Sequence, residues 1–317
     1  MAVASTKDLL TDLSPLIQVY TDGTVHRLIS SPHVPPSPED PATAVASKDI
    51  FISPSIPARL YLPKLAASHK LPILLYHHGG GFCLESAFSL LHHRYANLLS
   101  AASAALILSV EYRLAPEHPL PAAYDDSAAA LSWLCSHALD QPGFEKDQWI
   151  ADHGDLRRIF IAGDGNGANI AHNVTMRAGS DPLPGNVKVN GVILCHPFFC
   201  GSDESEEDLE RSLGYRLWSF VYPSAAGGID DPAINPLAAG APSLSGLGCS
   251  KMIVCLAEKD PSAARGRVYA EMVRLSGWEG EVETAEFEGE GHCFQISDTQ
   301  SQNAKNFINR LVAFISR

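Results

Sequence analysis

A short, fully apolar run recurs five times along the chain, in "LPILLYHHGGG", "AALILSVEYRL", "RRIFIAGDG", "VKVNGVILCHPFF" and "KMIVCLAEKD". A strand with no polar face is buried on both faces. Helix-like stretches at 90–102, 121–137, 167–178 and 263–276 alternate with these runs. That order argues for a mostly parallel sheet with helices on both faces. "VETAEFEGEGH" adds a last strand, and "SQNAKNFINRLVAFISR" a terminal amphipathic helix.

Two regions break the alternation. Residues 17–30 read as a hairpin-like pair around Asp22-Gly23, and 30–44 as a proline-rich extended link. Two antiparallel strands over 48–63 then lead into the sheet. The second irregular region, 199–245, carries an acidic run and several Pro/Gly turns. Ligand sites of α/β sheets lie beyond the strands' carboxyl ends, where insertions become lids. The expectation is one domain over 1–317, capped by about 1–45 and 199–245.

With 317 residues, 45% hydrophobic, the chain can bury a large core without staples. A net charge of −13 argues against nucleic acid and anionic membranes. Seven cysteines without a CxxC pair suit a reducing compartment. The N-terminus lacks a basic start followed by an apolar core, so no signal peptide is expected. The longest apolar run, 104–110, is far too short to span a bilayer. A cytoplasmic protein is expected.

Three signals converge on one site. "HHGGGF", His77 to Phe82, follows a strand directly. Such a loop forms part of the oxyanion hole in lipases and esterases, with Gly80 and Gly81 as donors here. "IAGDGNGANIAH" runs strand, turn, helix, as in the nucleophile elbow G-x-S-x-G, but its centre is Gly165. Asn166 would supply a further N–H from the helix start. Asp260 and His292 then follow at strand ends, in the chain order expected for this fold. Asp260 would orient His292 and stabilise its charged form.

The chain resembles plant carboxylesterases of the α/β-hydrolase fold, in the hormone-sensitive-lipase-like branch. The likeness runs nearly end to end, through "SPHVPPSPEDPATAVASKDI", "HHGGGFCLESAFS", "VEYRLAPEHPLPAAYDD", "GANIAHN", "GGIDDPAINP", "EKD" and "GHCF". It is similar also to gibberellin receptors, 2-hydroxyisoflavanone dehydratases and alkaloid cyclases. The resemblance implies an eight-stranded, mostly parallel sheet, and loops near the site braced by Arg113 and Glu117.

The departure from the esterase pattern is the missing serine. Glycine cannot form an acyl-enzyme. One reading is a repurposed dehydratase, eliminase or cyclase of a plant metabolite, with His292 as general acid or base. A second is a serine carboxylesterase in a serine-to-glycine form, and a third, ranked below both, is a small-molecule receptor. Phe82, Phe198, Phe199, Trp218 and Tyr222 could line an apolar substrate pocket. Cys293 is next to His292 but is set aside as a replacement nucleophile, because chain neighbours rarely point the same way. His77-His78 and His92-His93 lack spaced companions, so neither metal nor cofactor is expected. The expected partner is a small-molecule substrate.

Overall fold

The computed structural model describes residues 8–64, 70–202 and 212–317. Strands β1 (Leu9–Leu13), β2 (Ile17–Tyr20) and β3 (Val25–Arg27) form a small antiparallel sheet. After it come β4 (Ala46–Ser53), β5 (Ile56–Leu62), β6 (Leu71–His77), α1 (Leu90–Ser103), β7 (Leu106–Val110), α2 (Ala122–Ser136) and α3 (Gln148–His153). The second half holds β8 (Gly154–Asp164), α4 (Asn166–Ser180), β9 (Val189–Cys195), α5 (Leu213–Val221), β10 (Cys249–Ala257) and α6 (Ala263–Leu275). It closes with β11 (Glu281–Phe287), α7 (Phe294–Ser297) and α8 (Gln302–Ser316).

The large sheet has eight strands in the order β11-β10-β9-β8-β6-β7-β5-β4. From β11 to β7 every pairing is parallel; β5 and β4 are added antiparallel at one edge. Alternate side chains feed two cores. Ile73 and Leu75 of β6, with Ile159 and Ile161 of β8, pack with α2, α4 and α6. Leu74, Tyr76, Phe160 and Ala162 pack on the other face with α1 and α8. Helices on both faces are why these strands carry no polar face.

The irregular regions differ in detail from the expectation. The hairpin forms from β2 and β3 but gains β1, whose alternation is too weak to read. Within the irregular region 199–245, Leu213–Val221 forms the regular helix α5. Of the acidic stretch 202–210, all but Ser202 lies outside the described residues. The two regions meet beside the glycine loop. Arg27 hydrogen-bonds the carbonyls of Cys83 (2.7 Å) and Ala115 (3.2 Å) and both oxygens of Glu117. Arg216 of α5 hydrogen-bonds the Asp12 carbonyl. Arg113 instead grips Asp126 at the start of α2.

Candidate active site

Adjacent strands β6 and β8 pair His77 with Gly163, so the glycine loop and the elbow leave the sheet side by side. The elbow is compact. A Cβ on Gly167 would stand 2.2 Å from the His77 carbonyl oxygen, so only glycine fits. Gly165 has φ +59° and ψ −117°, a strained conformation for any other residue. Its N–H donates to the Cys195 carbonyl, and its own carbonyl accepts from Phe198 and Asn169, which pins the bend.

β10 and β11 bring the acid and the histidine. His292 Nδ1 donates to Asp260 Oδ2 at 2.7 Å. That leaves Nε2 to face the elbow: a Cβ on Gly165 would stand 3.0 Å from it and 3.5 Å from Cε1. Asp260 Oδ1 accepts from the backbone N–H and hydroxyl of Ser262. The Asp260 side chain is 3% exposed and that of His292 47%.

Burial alone would raise the Asp260 pKa. His196, His292 and the Ser262 N–H outweigh it and hold the carboxyl well below the usual range. The His292 pKa is raised. A Cys293 thiolate would raise it most and desolvation opposes, with Asp260 the next contributor. Burial, however, raises the Cys293 pKa and keeps that thiol protonated at neutral pH. Asp260 is therefore the partner that operates there.

Behind this pair runs a buried polar chain that the sequence reading missed. His196 Nδ1 faces Asp260 Oδ2 from 3.5 Å and has no hydrogen-bond partner among the described residues. Its Nε2 meets Gln295 Oε1 at 3.0 Å, and Gln295 Nε2 donates to Asp164 Oδ1 at 2.6 Å. Tyr76 donates to the other Asp164 oxygen at 2.5 Å. Burial raises the Asp164 pKa against those hydrogen bonds. His196 has φ +51°, although it precedes a proline, which pushes residues toward extended backbone. The available signal was position: His196 directly follows β9, as Asp260 follows the neighbouring β10 in the same sheet.

The amides fall out differently from the expectation. The N–H groups of Gly80 and Asn166 make no hydrogen bond among the described residues. The expected free N–H of Gly81 is not free: it donates to Asn166 Oδ1 at 2.7 Å. The aromatic residues also divide. Phe199 is 1% exposed and packs on Tyr269 and His172, so its ring belongs to the core. Phe82 and Trp218 are equally buried and meet edge to face at 6.4 Å. Trp218 also donates to the Gly228 carbonyl. Phe198 and Tyr222 are half-buried. Among the described residues no cluster of His, Cys, Asp and Glu could hold a metal. No described helix is long and apolar enough to cross a membrane.

A family model described as the α/β hydrolase fold matches residues 74–296. The chain belongs to the α/β-hydrolase fold family. This α/β-hydrolase chain is 51% identical to a 2-hydroxyisoflavanone dehydratase of Glycyrrhiza echinata, over 99% of itself and 98% of that protein. It is 44% identical to catharanthine synthase of Catharanthus roseus, over 96% of itself and 95% of that protein. Among solved structures, a hyperthermophilic esterase from the archaeon Pyrobaculum calidifontis aligns with a TM-score of 0.68. That match is 26% identical and covers 85% of this chain and 84% of the esterase. With such relatives, this α/β-hydrolase chain is an enzyme.

Proposed function

We propose that this enzyme is a non-hydrolytic lyase or cyclase acting on a plant specialised metabolite, with dehydration as the leading reaction. One observation carries the reading. An imidazole backed by a carboxylate aims its free nitrogen, 3.0 Å from a Cβ position, at an elbow with no nucleophile. Proton transfer is kept and covalent attack is lost. The dehydratase and synthase relatives favour the same chemistry.

On a β-hydroxy carbonyl compound the steps balance without a cofactor. His292 Nε2 takes the proton next to the carbonyl, and the C–H electron pair forms an enolate. The N–H groups of Gly80 and Asn166 receive the oxygen's charge. As the C=C bond forms, the C–O bond breaks, and the leaving oxygen takes the proton back from His292 to depart as water. Asp260 holds the imidazole's tautomer throughout. Gly165 leaves space beside Nε2 for the reacting carbons. The β1–β3 sheet and the described part of the 199–245 region serve as the cap, and the half-buried Phe198 and Tyr222 as pocket walls. The seven cysteines form no disulfide among the described residues, which suits the cytoplasm.

The test is direct. The protein should dehydrate a 2-hydroxyisoflavanone or a similar β-hydroxy ketone and leave aryl acetates intact. His292→Ala should lower the elimination rate about 10²–10⁴-fold, the usual contribution of general acid–base catalysis. An undiminished rate in that variant would remove the proposal. A second reading, an esterase in a serine-to-glycine form, is favoured by the strained bend that Gly165 retains without needing it. Gly165→Ser would then hydrolyse aryl acetates efficiently with no other change.

A further inference from the structure

Resting on that reading, we infer that the Asn166 side chain is a specificity-determining group: it occupies the Gly81 amide and so biases the site against ester hydrolysis. The orientation of the Asn166 amide is fixed by its neighbours. Tyr112 spends its one hydroxyl proton on the His78 carbonyl at 2.7 Å. The phenol can therefore only accept from Asn166, whose Nδ2 lies 3.1 Å away. Oδ1 is left as the atom facing the Gly81 N–H, at 2.7 Å. Tyr112 is itself locked by stacking on His78, with ring centroids 4.3 Å apart, and Asn166 and Tyr112 are both buried. Nothing in this arrangement lets the amide turn over.

The consequence depends on how charge develops. Ester attack puts a full charge on one tetrahedral oxygen. Losing one donor from an oxyanion hole costs a hydrolase about 10²–10³ in turnover. An enolate spreads its charge between oxygen and carbon and depends less on a third donor. The occupied Gly81 amide thus penalises hydrolysis more than elimination. It is a second feature, independent of the missing serine, that acts in the same direction.

Two measurements test this without the elimination reaction. In Asn166→Ala, amide exchange at Gly81 should speed up at least about tenfold by the loss of its acceptor. Exchange at Leu84, which donates to the Gly80 carbonyl at 2.8 Å, should stay as it was. In a Gly165→Ser background, adding Asn166→Ala should raise aryl acetate turnover about 10–10³-fold. Adding Asn166→Asp, which keeps an acceptor at Gly81, should give no increase. Asn166→Ser, too short to reach Gly81, is the second variant should alanine unsettle the helix start. Unchanged exchange at Gly81 overturns the inference. So does a double variant no faster than Gly165→Ser alone, including the case where neither turns over. The His292→Ala elimination assay reads the catalytic proposal separately.

Discussion

The His292 imidazole has one nitrogen committed to Asp260 and one facing Gly165, so its proton balance sets the rate. Its raised pKa gives the pH dependence a definite sign. Below that pKa the free enzyme holds an imidazolium, which cannot take a proton from substrate. kcat/KM for elimination should therefore climb with pH on the alkaline side of the ordinary imidazole value of about 6.5. A profile already flat at pH 6 would contradict the assignment of His292 as base. Asp260 and His292 were legible as strand-end residues in family order. His196 was not, because its importance lies in a buried contact with a residue 64 positions away (260 less 196). The occupied Gly81 amide was equally hidden: sequence shows that a backbone can donate, not whether a side chain already accepts.

Strands and helices were easier to read than the loops between them. The parallel strands announced themselves because burial on both faces leaves no polar position, and α8 because it buries one apolar face, Phe307, Ile308, Leu311, Phe314 and Ile315. β1 and α5 were missed: β1 exposes three of its five residues and shows no alternation, and α5 is a nine-residue helix outside the strand–helix alternation. The elbow shows how little slack the elements leave. Gly167→Ala would press a methyl into the His77 carbonyl and force α4 away from β6. The expected loss is about 1–3 kcal/mol or more, the range for overpacking, read by denaturant unfolding. Arg27 ties the small sheet to the glycine loop and to the turn at Glu117. Arg27→Ala strips two carbonyls and a half-exposed carboxylate of their donor. It should lower stability by about 1–3 kcal/mol, a fall of a few degrees in Tm. No change in Tm would show that the small sheet is held by α5 instead.

Acid stability of the whole molecule follows from Asp260. Its folded pKa is depressed, so its contribution is present above the unfolded value of about 3.9 and fades as pH falls toward the folded one. Stability curves of the native protein and Asp260→Asn should converge below about pH 4; parallel curves would deny the ion pair its part. A different consequence follows from His292 being nearly half open to bulk solvent. An acyltransferase, which must hand its covalent ester to another acceptor, has to ration the entry of water or lose the intermediate. A dehydrating site stores nothing, and water is what it discharges. Such a catalyst can work with its door ajar.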